Sequence, residues 1–216
     1  MIKQFQFNHF EVNCYLIVDP ATRNCAIVDP APEASFEDVQ LTQYIEEQGL
    51  TVSMILLTHA HVDHIAGLRQ CCEHYHLPVG MHAEGRKLLR QAEAYGSIMG
   101  FAVDNMGDLE VQEIEDNAVL HLGETEIECR YVPGHCPGSL CFVVPSEKAV
   151  ITGDALFHYS IGRTDLPGGD YPTLIEKLKT RILTLPDDYR VLPGHGIESV
   201  IGKERRYNSF LNALMC

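Results

Sequence analysis

Residues 58–64 carry the feature that most constrains the fold, because four ionisable side chains stand within six consecutive positions. The segment reads Thr-His-Ala-His-Val-Asp-His. It follows the apolar run Val52–Leu57 and precedes a helical pattern that begins near Ile65, so we expect it at the end of a strand. Three imidazoles and a carboxylate cannot be buried cheaply without partners. The segment therefore predicts a metal site at the edge of a sheet rather than an ordinary polar turn.

Three further ionisable residues, His135, Asp154 and His195, also follow apolar runs and stand beside glycine. Glycine lets the backbone turn sharply, so that side chains can converge on one point. Each of the three alone would be typical of a turn, but together with residues 59–64 they indicate ligands from four separate strand ends. Five histidines and two aspartates are too many for one tetrahedral zinc and suit two metals that share a carboxylate. The candidate metal ligands are His59, His61, Asp63, His64, His135, Asp154 and His195.

Strand and helix patterns alternate along the whole chain, which predicts an α/β fold of sheets covered by helices. The 216 residues form one predicted domain, with an insertion at about residues 91–117 that is either a lid or a plain surface excursion. The predicted strands are Ile2–Phe7, Cys14–Val18, Cys25–Val28, Val52–Leu57, Ile127–Val132, Leu140–Val144, Ala149–Ile151 and Arg190–Leu192. The predicted helices contain Leu41–Ile45, Ile65–Cys72, Leu174–Ile182 and Glu204–Leu214.

The charge balance excludes several classes of partner. Acidic residues number 30 and basic residues 16, which gives a formal net charge of −14. A nucleic-acid-binding or membrane-surface protein would need clustered lysine and arginine, so neither partner is expected. The N-terminus lacks the apolar run of a signal peptide, and no stretch approaches the ~18 apolar residues of a membrane span. We therefore expect a cytoplasmic protein with a small-molecule substrate; its oligomeric state is left open.

The order of these motifs resembles that of the metallo-β-lactamase superfamily and, within it, the short type II glyoxalase (hydroxyacylglutathione hydrolase)-like branch. The resemblance implies a four-layer αββα sandwich with the metals at one edge. It extends nearly from end to end of the chain. The matching motifs are Asn13–Leu16, Ile27–Pro30, His59–His64, Gly134-His135, Gly153-Asp154, Ser160–Asp165, Pro193–Gly196 and Glu204-Arg205.

The same resemblance implies how the ligands divide between two divalent metals. Zinc is the first expectation, because neutral imidazoles and carboxylates suit it, and iron or manganese would accept the same donors. In the family pattern one metal takes His59, His61 and His135, the other takes Asp63, His64 and His195, and Asp154 bridges them.

The activity implied is hydrolysis of a small thioester or ester by a hydroxide that bridges the two metals. Asp63 would also act as a catalytic residue that orients the hydroxide and helps to move its proton. The alternative is a mononuclear iron persulfide dioxygenase on the same fold, which would hold one iron with two histidines and one aspartate. Metal content separates these two hypotheses.

Five residues outside the ligand set are also candidates for the site. Asp29, Arg163 and Asp165 are expected to hold ligand imidazoles in place from behind, or else to serve in turns and ion pairs. His158 and Tyr159 lie just past Asp154, and we expect them at the substrate entrance.

Overall fold

A computed structural model describes residues 1–212 of the chain. Within this range the chain folds into two six-stranded sheets that pack face to face, with helices on both outer faces. Three separate hydrophobic clusters fill the spaces between successive layers, and the middle one joins the two sheets through residues such as Ile17 and Phe142. The predicted four-layer αββα sandwich is therefore confirmed.

The first sheet follows the order of the chain. Its first three strands form an antiparallel meander, and the strands from the third to the sixth run parallel. Parallel strands end at the same edge, so the segments after the third and fourth strands lie side by side. The strands are β1 (Ile2–Phe7), β2 (Val12–Val18), β3 (Asn24–Val28), β4 (Thr51–Leu56), β5 (Val79–Met81) and β6 (Val111–Glu113).

The second sheet brings three strand ends to that same edge. Its strands are β7 (Val119–Leu122), β8 (Thr125–Tyr131), β9 (Leu140–Val144), β10 (Ala149–Gly153), β13 (Arg190–Pro193) and β14 (Ser199–Val200), and a separate two-stranded hairpin consists of β11 (Leu156–Phe157) and β12 (Ser160–Ile161). Strand β9 is antiparallel to both β8 and β10, and β13 is parallel to β10. The segments after β8, β10 and β13 therefore leave the sheet on one side.

Helices cover the outer faces of both sheets. Within residues 1–212, no helix combines the length and the hydropathy that a membrane span requires. The helix expected from Ile65 begins instead at Leu68, because Val62–Ile65 forms a 3-10 turn. The C-terminal helix is interrupted at Asn208, and Leu214 of that prediction lies outside the described residues. The helices are α1 (Ser35–Glu47), α2 (Leu68–Tyr75), α3 (Arg86–Arg90), α4 (Ala92–Met99), α5 (Tyr171–Lys177), α6 (Ile201–Tyr207) and α7 (Ser209–Asn212).

Residues 91–117, expected as an insertion, contribute to the core of the first sheet. The segment begins with α4 and ends with β6, which pairs with β5 as an edge strand. Between them the side chains of Phe101, Val103 and Met106 are buried in the cluster under the first sheet. These contacts pack the segment against the core of the first sheet, and its interpretation as an insertion stays a prediction.

Candidate metal centre

The seven predicted ligands converge at the edge where β4, β8, β10 and β13 end. Backbone hydrogen bonds fix this convergence: Leu140 N–H donates across the sheets to the Thr58 carbonyl at 2.7 Å, and Gly194 N–H donates to the Gly153 carbonyl within the second sheet at 2.8 Å. A side chain at Gly194 would collide with the Asp154 carboxylate and the His64 ring, so the close approach of β13 requires glycine.

The first half-site consists of His59, His61 and His135. His61 Nδ1 lies 3.1 Å from His59 Nε2 and 2.9 Å from His135 Nε2. His59 and His135 are almost fully buried, and His61 is half-buried. Three imidazole nitrogens this close, directed at one point, form the donor set that a divalent transition metal prefers.

The second half-site consists of Asp63, His64 and His195. The Nε2 atoms of His64 and His195 are 3.3 Å apart, and Asp63 Oδ2 lies 3.2 Å from His195 Nε2 and 3.7 Å from His64 Nε2. Asp63 and His64 stand on the 3-10 turn after β4, whereas His195 follows β13. The donors here are two imidazoles and one carboxylate.

Asp154 lies between the two half-sites. Its Oδ1 is 3.3 Å from His64 Nε2, and its Oδ2 is 3.7 Å from both His135 Nε2 and His195 Nε2. Oδ1 is buried, and no donor among the described residues makes a hydrogen bond to it. A buried carboxylate oxygen without a hydrogen bond is costly unless a cation binds it. The position suits a carboxylate that bridges two metals.

Backbone carbonyls fix the tautomer of two ligand rings. His135 Nδ1–H donates to the Arg163 carbonyl at 2.8 Å, and His195 Nδ1–H donates to the Phe10 carbonyl at 2.9 Å. A carbonyl can only accept, so the proton of each neutral ring lies on Nδ1. The lone pair of Nε2 is therefore directed into the site in both histidines.

Asp29 lies behind His64, where the sequence predicts a residue that orients a ligand. Its carboxylate accepts from His64 Nδ1–H at 2.9 Å and from the N–H and hydroxyl of Thr58 at 2.7 and 2.6 Å. Because the Thr58 hydroxyl donates to Asp29, it accepts from His59 Nδ1–H at 3.1 Å. One carboxylate thus fixes a ligand ring directly and a second ring through a hydroxyl.

The two half-sites differ in electrostatics. Burial lowers the pKa of His59 well below its ordinary value, and burial together with the neighbouring His135 lowers the pKa of His61 to about 4. Burial also disfavours charge on His64, but the carboxylates around it, above all Asp154, outweigh burial and raise its pKa. Burial thus favours the neutral form of His59 and His61, which a metal ligand requires, while the carboxylates around His64 favour its protonated form.

Of the two roles expected for the side chains of Arg163 and Asp165, their geometry supports the ion pair. Both are exposed, and they form an ion pair in which Arg163 Nε and Nη2 each donate to an Asp165 oxygen at 2.8 Å. The contact to a ligand comes from the backbone carbonyl of Arg163, and any residue at this position would supply that acceptor. Among the described residues, the hydrogen bonds of these two side chains join them to each other and to no ligand ring.

His158 and Tyr159 lie in the turn between β11 and β12, next to the second half-site. The turn approaches the ligands through Phe157, whose ring centroid is 6.2 Å from that of His195. Tyr159 has a positive φ of 57° and an exposed side chain, and its N–H donates to both oxygens of the buried Glu204 carboxylate at 3.1 Å. A buried carboxylate on α6 therefore holds the turn that carries both predicted substrate residues.

The turn between β1 and β2 also contributes to the site, although the sequence does not predict it. Asn8 in this turn donates from Nδ2 to the Asp63 carbonyl at 2.9 Å, and Phe10 supplies the carbonyl that binds His195. The only signal in the sequence is an asparagine between two apolar runs, which is typical of a turn and says nothing of a metal site.

Comparisons with known proteins agree with this geometry. A family model described as the metallo-beta-lactamase superfamily matches residues 8–195. A Haemophilus influenzae protein named hydroxyacylglutathione hydrolase GloC is 38% identical over 211 residues, with 94% of each chain covered.

Two solved structures are also similar over their whole length. The BLEG-1 B3 metallo-beta-lactamase has a TM-score of 0.88 and 31% identity, covering 99% of this chain and 100% of its own. The protein TTHA1623, crystallised in a di-iron-bound form, has a TM-score of 0.86 and 33% identity, covering 97% of this chain and 100% of its own.

Proposed function

The chain belongs to the metallo-β-lactamase superfamily, as its motifs predicted, and on this premise we propose that it hydrolyses a small thioester or ester at a centre of two metal ions. The coarser activity, that of a metallo-hydrolase, follows from the family and its relatives. One observation carries the finer proposal: two half-sites of three donors each converge on the single carboxylate of Asp154.

The donor sets indicate which residues would hold each ion. Three imidazoles would hold the first, and the second would take a carboxylate and two imidazoles. Zinc suits both sets, and the di-iron form of one relative supports iron as an alternative. When bound, such ions lower the pKa of a coordinated water and polarise a carbonyl oxygen, so no serine or cysteine nucleophile is required.

The residues of the chain orient the reactants and move the proton. The carboxylate of Asp63, whose Oδ2 lies 3.2 Å from His195 Nε2, would orient the attacking water and take its proton. Asp29 and the carbonyls of Arg163 and Phe10 would hold the ligand rings rigid, so that little reorganisation is needed during the reaction. His158 and Tyr159 would contact the substrate at the entrance.

The substitution Asp154→Ala tests the two-metal proposal directly. We expect the variant to lose at least one of about two metals per chain and nearly all thioester hydrolysis, because Asp154 contacts both half-sites. Elemental analysis and a thioester assay measure the two effects. Asp165→Ala, which removes an exposed ion-pair partner, is the matched control. Retention of both metals and full turnover by Asp154→Ala would show that the proposal is wrong.

A panel of acyl donors tests the substrate class. Lactoylglutathione, an acyl-coenzyme A, an aryl thioester and a β-lactam differ in their leaving groups, and a thioester should have the highest kcat/KM. A higher kcat/KM for the β-lactam would instead indicate the activity that the name of the B3 relative states, that of a metallo-beta-lactamase. One iron per chain with oxygen uptake on a persulfide would establish the dioxygenase alternative.

A further inference from the structure

We propose that the turn between β1 and β2 sets the geometry of the second half-site, and that Asn8 is the positioning residue through which it does so. The inference depends on the proposed two-metal centre and adds a residue, remote in sequence, on which only one of the two ions depends. Four hydrogen bonds among the described residues support this role of Asn8.

Two of these bonds are donated by the Asn8 amide. Nδ2 donates to the Asp63 carbonyl at 2.9 Å and to the Ala31 carbonyl at 3.0 Å. Asp63 is a ligand of the second half-site and stands on a short 3-10 turn, whose backbone has few internal hydrogen bonds to fix it. Asn8 therefore anchors the backbone that carries Asp63.

The other two bonds lead to His195. Asn8 Oδ1 accepts from Phe10 N–H at 2.9 Å, and the Phe10 carbonyl accepts from His195 Nδ1–H at 2.9 Å. Fixing the Phe10 peptide fixes the acceptor that sets the tautomer and orientation of His195. One amide side chain thus controls two of the three ligands in the second half-site, one on each sheet.

The turn itself is firmly held. Asn8 N–H donates to Glu37 Oε1 on α1 at 2.7 Å, and His9 Nδ1 lies 2.7 Å from Glu33 Oε2. In the described residues no hydrogen bond joins this turn to His59, His61 or His135. The influence of the turn is therefore specific to the second half-site.

The backbone of Asn8 makes a clean experiment possible. Its φ is 55°, a left-handed conformation that glycine, asparagine and aspartate tolerate. Asn8→Gly keeps this conformation and removes all side-chain bonds. Asn8→Asp keeps an acceptor for Phe10 but places a carboxylate against the carbonyls of Asp63 and Ala31.

The matched control is Asn117→Gly. Asn117 also has a positive φ, of 63°, and its side chain accepts from Arg181 in the helical turn that follows α5, away from the ligands. The control therefore carries the same gain of backbone freedom without a link to the site.

The measurement is metal binding and not activity. Metal-free wild type, both Asn8 variants and the control are titrated with zinc and with cobalt, and the two dissociation constants are taken from calorimetry and from cobalt absorption. We expect both Asn8 variants to weaken the second site about 10- to 100-fold and to leave the first unchanged, because outer partners of ligand histidines have effects of this size.

Three outcomes would overturn the inference. If both Asn8 variants bind two metals as the wild type does, Asn8 positions nothing, and the two-metal proposal stands. If both sites weaken equally while Asn117→Gly is unaffected, the turn acts on the whole fold and not on one half-site. If wild type binds a single metal, both this inference and the two-metal proposal are wrong.

Discussion

Two aspartates at opposite edges of the first sheet have almost the same immediate surroundings. Asp19 follows β2 and Asp29 follows β3, and since these strands are antiparallel, the two carboxylates lie at opposite ends of the sandwich. Each is 1% exposed. Each accepts both the backbone N–H and the hydroxyl of one threonine, Thr22 for Asp19 and Thr58 for Asp29.

The third donor distinguishes the two aspartates. Asp19 accepts from the Thr125 hydroxyl at 2.8 Å, which joins the two sheets, whereas Asp29 accepts from His64 Nδ1–H at 2.9 Å. The same local chemistry therefore stabilises the fold at one edge and orients a candidate ligand at the other. A strand-end aspartate therefore acquires its role from a partner that the tertiary fold brings next to it.

The largest expected effect comes from Asp29→Asn. Asparagine tolerates the positive φ of 54° at this position, so the backbone should keep its conformation. The variant loses the charged acceptor for His64 Nδ1–H, and we expect metal binding at the second half-site and kcat/KM to fall about 10- to 100-fold. Metal titration and steady-state kinetics measure these effects.

Asp19→Asn is the control for this prediction. Its metal affinity and kcat/KM should equal those of the wild type, because no ligand lies among its partners. Equal losses in the two variants would remove the functional distinction between the two edges.

A smaller effect is expected from Thr58→Val, which removes one hydroxyl at the metal edge. That hydroxyl donates to Asp29 and accepts from His59 Nδ1–H, so its loss should weaken metal binding by about 10-fold, at the lower limit of such effects. Thr22→Val removes the equivalent hydroxyl beside Asp19. Thr22→Val should lower thermal stability without changing metal affinity, and a change in metal affinity there would contradict the comparison.

The stability effect of Asp19→Asn should depend on pH. Hydrogen bonds from Thr22, and then from Thr125, hold the pKa of Asp19 at about 2, below the ordinary value near 3.9. A carboxyl whose pKa is lower in the folded state stabilises that state above about pH 4, and this contribution is lost as the pH falls towards 2. Urea unfolding should therefore show a less stable variant at pH 7 and a difference that shrinks below pH 4. A constant difference would mean that the charge of Asp19 is not involved.

The candidate ligands could be predicted from sequence because each is an imidazole or carboxylate directly after an apolar run. His135, Asp154 and His195 have this pattern, and the fold brings all three to one edge. The αββα layers were predictable for a similar reason, since strand and helix periodicities are local properties of the chain.

The groups that orient the ligands could not be predicted in the same way. Arg163 and Phe10 act through backbone carbonyls, which every residue possesses, so their side chains carry no signal. Asn8 reaches Asp63 across 55 positions, a contact that only the completed fold creates. Strand β6 has three residues and no buried side chain, too short a run for an alternating pattern to emerge.

Glu204 is another buried carboxylate, and its role matches neither that of Asp19 nor that of Asp29 fully. It is fully buried and accepts from Ser199 Oγ–H, from Asn208 Nδ2 at 2.8 Å and from Tyr159 N–H, so all its partners are donors. In Glu204→Gln an amide NH2 group replaces one carboxylate oxygen, and this group must face one of these donors. The loss of that hydrogen bond should lower the free energy of unfolding by about 1–3 kcal/mol.

The same variant should change substrate binding and not metal binding. Since Glu204 contacts the turn at Tyr159 and no ligand, metal affinity should stay at the wild-type value and only KM should rise, by less than 10-fold. Glu198→Gln, an exposed position paired with Arg190, is the control. A loss of metal from Glu204→Gln would show that Glu204 orients a ligand, as Asp29 does. An unchanged KM would show that it only stabilises the fold, as Asp19 does.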